Sequence, residues 1–125
     1  MNDPARGRIL VVDDDKKISD LLRLYLQKKG FDVEVVLEAE EAETAIYLQN
    51  PDLIFLDYRM SPLTGKDLLE RIRIRGIETP VVMMSAYRRR DGDMEMKRLG
   101  ALAYLSKPFD FSEIDSILNR VFPGR

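Results

Sequence analysis

The chain has 125 residues, with 20 Lys+Arg against 22 Asp+Glu for a formal net charge of -2, and contains neither Cys nor His. A chain of this size supports one domain with one core, burying roughly 65% of the surface its unfolded form exposes. The two missing residue types exclude disulfides, thiol nucleophiles, zinc–thiolate knuckles, Ser-His-Asp triads and imidazole metal sites, so a bound metal must be a hard, oxygen-liganded ion, and the near-balanced charge argues against a generic nucleic-acid or membrane surface.

Residues 1–7 form a polar leader, after which apolar runs alternate with helix-period segments. Arg8 to Asp13 reads as a buried strand, and Ile18, Leu21, Leu22, Tyr25 and Leu26 follow at helical spacing. That helix is expected to stop at Lys28-Lys29-Gly30, where cations suit the negative end of the dipole and Gly takes the left-handed cap. Asp32 to Val36 alternates like a partly wet strand, and Ala39 to Gln49 is an acidic helix stopped by Asn50-Pro51. Leu53 to Leu56 is a second buried strand running into Asp57. Thr64 and Asp67 form a capping box for a helix carrying Leu68, Leu69 and Ile72 and ending near Gly76.

Val81 to Met84 is the third buried run. The segment 88–99 reads as a helix opened by Arg88-Arg89-Arg90, with Gly92 inside it and Met94 and Leu99 as apolar anchors. Leu102 to Leu105 is the last strand. Ser112 with Asp115 is expected to open a final helix whose Ile114, Ile117, Leu118 and Val121 make one stripe. No apolar run is long enough for a transmembrane helix or signal peptide, so a cytoplasmic protein is expected.

Five strands alternating with five helices, most strands apolar on both faces, imply an α/β fold: a doubly wound, five-stranded parallel sheet covered on both sides, with the alternating second strand at an edge. Ligands of such sheets bind at the carboxyl ends of the strands. Asp13, Asp14 and Asp15 end the first strand, Asp57 the third, Ser85 the fourth, and Ser106-Lys107-Pro108 the fifth. Carboxylates crowded on one edge repel unless a cation neutralises them, and Mg2+ is the economical choice because one or two carboxylates plus phosphate oxygens satisfy it. Lys107 then serves as a compact charge for a phosphate and Ser85 as a hydroxyl for a phosphoryl oxygen, leaving a carboxylate free to attack phosphorus without a general base. Taken singly these residues have ordinary readings. Three Asp after a strand suit a helix N-cap, Lys107-Pro108 a surface turn, and Tyr104 a half-buried core position. Their coincidence on one edge favours a site.

The set Asp13-Asp14, Asp57-Tyr-Arg-Met60 with Gly65, Ser85-Ala86 and Lys107-Pro108-Phe109 resembles the receiver domain of two-component response regulators. The resemblance runs from about Arg8 to Val121 and implies a flavodoxin-like sheet of order 2-1-3-4-5, with residues 8–122 as the receiver and 123–125 as a tail. It further implies that Asp57 accepts a phosphoryl group from a partner phosphohistidine. Mg2+, or Mn2+ in its place, would be held by Asp14, Asp57 and the backbone carbonyl of Arg59, with Asp13 acting through water. Lys107 would bridge to the phosphoryl group, Ser85 would move to hydrogen-bond it, and Tyr104 would turn inward, reshaping the face of the fourth helix, fifth strand and fifth helix. Partners would be a sensor histidine kinase or histidine phosphotransferase and a downstream effector protein, docking near Ile18, Pro108 and Phe109, with no direct nucleic-acid or membrane contact. Such a domain is a phosphoacceptor and not a turnover enzyme.

This chain departs from the family pattern in Met60-Ser61-Pro62, where the proline is displaced by one, and in Arg59, whose side chain is expected to affect the lifetime of phospho-Asp57. With only four residues after Val121, the reading is a stand-alone receiver without an output domain, similar to chemotaxis and sporulation-phosphorelay regulators. One alternative is the receiver fragment of a longer transcriptional regulator. An alternative of another class is an Asp-nucleophile phosphohydrolase built on the Asp-x-Asp spacing of Asp13 and Asp15, in which Asp57 would have no role. A flavodoxin-like flavin module is disfavoured by three carboxylates where a phosphate must be cradled, and a receiver that docks without phosphorylation is disfavoured by the complete acidic and basic set.

Overall fold

The computed structural model describes residues 6–60, 63–86 and 92–124. The elements are β1 (Arg8–Val12), α1 (Lys16–Lys28), β2 (Asp32–Val36), α2 (Ala39–Gln49), β3 (Leu53–Asp57), α3 (Gly65–Ile74), β4 (Val81–Ser85), α4 (Gly92–Arg98), β5 (Ala103–Ser106) and α5 (Phe111–Val121). All strand pairs are parallel and the order is β2-β1-β3-β4-β5, as expected. Alternation of side chains along each strand divides the core in two. Leu10, Val12, Ile54, Leu56, Val81 and Met83 pack under α2, α3 and α4, while Ile9, Val11, Leu53, Phe55, Val82, Met84 and Leu105 pack under α1 and α5.

The helix ends follow local chemistry. Asp15 caps α1 by accepting the N–H groups of Lys17 and Ile18, and the chain leaves that helix through Gly30 at φ 96°. Asn50 closes α2 in the left-handed conformation, which the turn into Pro51 requires. The Thr64–Asp67 capping box of α3 forms in both directions.

Two expectations fail. The anchor of α4 is Met96, 1% exposed, whereas Met94 is 60% exposed and Leu99 only partly buried. The described part of the helix runs from Gly92 to Arg98, and residues 88–91, which were expected to open it, lie outside the described residues. The N-cap of α5 is Asp110, which accepts the Ser112 N–H, so Ser112 is inside the first turn. Asp115 faces α1 instead, accepting the Tyr25 hydroxyl at 2.6 Å with the Lys29 ammonium at 3.5 Å, and the Tyr25 ring stacks on Phe111 at 4.2 Å. The leader's first five residues, the Ser61-Pro62 departure and the Arg88-Arg89-Arg90 run lie outside the described residues. Among the described residues, no helix is long and apolar enough to cross a membrane.

Candidate functional site

The strand order reverses direction at β1, so a crevice opens between the carboxyl ends of β1 and β3, with β4 and β5 alongside. Asp13 leaves β1 fully buried, its backbone N–H still donating to Val36. One Asp13 oxygen, Oδ1, accepts the Asp15 N–H at 2.9 Å, and the other, Oδ2, accepts the Lys107 Nζ at 2.6 Å. Asp14 is exposed at the mouth. Asp15 is drawn away as the cap of α1, so the three acidic residues divide into a buried partner for Lys107, an open carboxylate and a helix cap.

Asp57 ends the fully buried β3 and is itself 5% exposed. Its Oδ1 accepts the Arg59 backbone N–H at 3.3 Å and lies 3.4 Å from Lys107 Nζ, while Oδ2 carries no hydrogen bond among the described residues. Burial first, then the charge of Asp13, push its carboxyl up to about 6, against the opposing pull of Lys107 and of the Arg59 N–H. Lys107 shows the reverse balance. Burial alone would lower its ammonium, but pairing with Asp13 and Asp57 outweighs this and raises it.

Carboxylate oxygens from Asp13, Asp14 and Asp57 lie within 4.8 Å of one another. One ammonium facing three carboxylates leaves negative charge in excess. An all-oxygen donor set with such a deficit of cation suits a divalent hard ion, so the residues fit Mg2+ on their own chemistry.

Two features hold the loops of this site. The Gly65 N–H donates to the Tyr58 carbonyl at 3.0 Å, and a Cβ at Gly65 would lie 2.3 Å from the Asp57 backbone oxygen, so only glycine lets α3 start this close to the end of β3. The Ser19 hydroxyl, fully buried on α1, reaches back to the carbonyls of Asp13 at 3.0 Å and Asp15 at 2.9 Å. Sequence reasoning missed Ser19; its only signal is a small polar residue among the apolar positions of an otherwise amphipathic helix.

Ser85 is buried at the end of β4, and its carbonyl accepts the Lys107 backbone N–H at 2.8 Å, which ties the two strand ends together. The Lys107–Pro108 peptide bond is cis, which nothing in the sequence reading anticipated. Tyr104 is half-buried against the α4 side of the core, beside a cavity of about 250 Å³ lined by Met96, Lys97, Leu102 and Arg120. The Arg59 residue is exposed. Ile18 is half-buried at the start of α1, Pro108 is exposed, and Phe109 packs partly into the α1–α5 side. The structure therefore gathers Asp13, Asp14, Asp57 and Lys107 into one cluster, sets Ser85 beside them on β4, and leaves Tyr104 on the α4 side of the core.

The sequence profile of the response regulator receiver domain matches residues 9–119. Sporulation initiation phosphotransferase F of Bacillus subtilis is 32% identical over 116 residues, covering 93% of this chain and 94% of that protein. Regulatory protein AtoC of Escherichia coli is 34% identical over 119 residues, but the match spans 93% of this chain and only 25% of AtoC. The solved receiver domain of Francisella response regulator 1452 superposes with a TM-score of 0.88 at 34% identity, covering 93% of this chain and 96% of that one. Chemotaxis protein CheY4 of Vibrio cholerae superposes at 0.84 with 28% identity, over 92% of this chain and 98% of that one. With the profile match spanning most of the chain and the fold likeness of the solved receiver domain, the chain belongs to the response regulator receiver domain family, the phosphoacceptor modules of two-component signalling.

Proposed function

We propose that Asp57 is the residue that accepts the phosphoryl group, from the phosphohistidine of a partner kinase or histidine phosphotransferase, and that residues 8–122 act as the receiver. The observation that carries this reading is the Asp57 carboxylate itself: buried, 3.4 Å from Lys107 on one oxygen and without a protein hydrogen bond among the described residues on the other. An Asp57 oxygen attacks phosphorus, the P–N bond to the partner imidazole breaks, and the imidazole leaves with the electron pair. No base is needed once the carboxylate is ionised. Asp14, Asp57 and the Arg59 carbonyl would hold Mg2+, with Asp13 acting through water. When bound, the ion neutralises charge on the phosphoryl oxygens.

Lys107 is the chain's own contribution to that neutralisation. It sits between Asp13 and Asp57, so a short swing of its ammonium trades a carboxylate partner for a phosphoryl oxygen. Ser85 supplies a hydroxyl to the same group from β4, and Tyr104 follows it, reshaping the surface of α4, β5 and α5 for a downstream effector. Ile18, Pro108 and Phe109 border the site and form the docking rim for the phosphodonor. The domain is changed by the transfer and does not turn over a substrate. The phosphohydrolase alternative loses ground because both Asp13 oxygens are already engaged, by the Asp15 N–H and by Lys107.

The test is intact-mass measurement after incubation with acetyl phosphate and Mg2+. Wild type is expected to gain one phosphate and Asp57→Asn none. Continuous hydrolysis of the donor that depends on Asp13 would reject the reading.

A further inference from the structure

Beside Ser85 stands a hydroxyl that the mechanism above does not use. Ser85 and Ser106 are register partners across β4 and β5, and adjacent strands in a sheet lie about 4.8 Å apart. Met83 and Tyr104, two residues earlier on each strand, pack into the α4 side of the core, whereas Met84 and Leu105 face the other side. Strand alternation therefore sets Ser85, Ser106 and Tyr104 on one face. The Ser106 hydroxyl oxygen is buried, and among the described residues it has no hydrogen-bond partner. A buried hydroxyl left unpaired is unfavourable, so a rearrangement that gives it a partner is favoured by that amount.

We propose that Ser106 is a positioning residue for the switch, donating its hydroxyl proton to Ser85 Oγ once Ser85 has turned its own proton toward a phosphoryl oxygen on Asp57. This rests on the phosphoacceptor reading above. A serine hydroxyl has one proton and two lone pairs. When the Ser85 proton is committed to the phosphoryl group, its lone pairs are left as acceptors, and its register partner across the ladder, Ser106, carries a hydroxyl. The resulting chain, Ser106 to Ser85 to phosphoryl, polarises in one direction, so each bond strengthens the next. Among the described residues Ser106 has no partner, so the pairing is a difference between the two states and biases the equilibrium toward the phosphorylated form.

The experiment is equilibrium binding of beryllofluoride, a phosphoryl mimic, to the Mg2+-loaded chain, with Mg2+ binding alone measured in parallel. Ser106→Ala is expected to weaken beryllofluoride binding by about 5-fold, the size of one neutral hydrogen bond, and to leave Mg2+ affinity unchanged. Ser106→Thr, which keeps the hydroxyl, is expected to restore binding. On a Ser85→Ala background, Ser106→Ala is expected to add nothing. An unchanged affinity in Ser106→Ala, an equal loss on the Ser85→Ala background, or a loss of Mg2+ affinity would each overturn the proposal. Failure of wild type to bind beryllofluoride, together with no phosphate gain from acetyl phosphate, would overturn the phosphoacceptor reading itself, so the two failures are distinguishable.

Discussion

Asp57 carries the tension between stability and chemistry. Its carboxyl is raised from 3.8 to about 6, chiefly by burial and then by Asp13, so without a metal the folded state holds this proton more tightly than the unfolded chain does. Its contribution is therefore fully favourable below about pH 4 and is lost as pH rises through 6, at most about 3 kcal/mol. In the presence of a chelator, Asp57→Asn is expected to stabilise the chain by about 2 kcal/mol at pH 7.5 and to change little at pH 4. Urea denaturation at both pH values checks this; equal effects would show that the carboxylate is not strained by its surroundings. Ser19 works in the opposite sense. Its single hydroxyl proton is shared between the Asp13 and Asp15 carbonyls, and the Asp15 carbonyl also accepts the Ser19 backbone N–H. Ser19→Ala gains some helix propensity but takes the hydroxyl donor from the Asp13 carbonyl, for a net loss of about 1 kcal/mol. The same variant is expected to bind Mg2+ more weakly, measurable by calorimetric titration, because the backbone between Asp13 and Asp15 loses its tether.

At the scale of elements, the junction of β3 and α3 is the tightest in the site. A methyl group at Gly65 would meet the Asp57 carbonyl oxygen at 2.3 Å, and that atom belongs to backbone that cannot rotate away. Gly65→Ala is expected to cost about 3 kcal/mol and to reduce phosphate incorporation, since the strand end that carries Asp57 must move. Gly76→Ala, at φ 80° with nothing within 4 Å, should cost only the left-handed backbone strain of about 1 kcal/mol and leave phosphorylation intact. Denaturation curves and intact mass for both variants separate close approach from backbone conformation. Elements of this kind were legible to different degrees in the sequence. The two-sided apolar runs of β1, β3 and β4 could mean little but central parallel strands, and their terminal residues located the site. Met94 and Met96 are chemically identical, and only the angle at which α4 lies on the sheet decides which is buried. Asp110 and Ser112 are both good caps, and the choice fell to the path of the loop from Lys107. The contact of Ser19 with the acidic loop depends on how α1 starts, which no periodicity records.

For the molecule as a whole, Mg2+ binding at this site would couple a metal, a proton and folding. A ligand that binds only the folded state stabilises it by about 2.7 kcal/mol at 100 times its dissociation constant, which for a domain of this size is about 10 °C in Tm. With its carboxyl at about 6, Asp57 is mostly ionised at pH 7.5 and roughly 90% protonated at pH 5, so at the lower pH the metal must displace a proton. The apparent affinity then falls about 10-fold, and the same Mg2+ concentration should raise Tm by about 5 °C. In Asp57→Asn this difference between pH 5 and pH 7.5 should vanish, because the group that exchanges the proton is gone. Calorimetric scans with and without Mg2+ at the two pH values measure this directly. A wild-type shift that does not depend on pH would mean that metal is held by Asp13 and Asp14 without Asp57. Asp57 would then be uncoupled from the cation that its burial beside two other carboxylates appeals to.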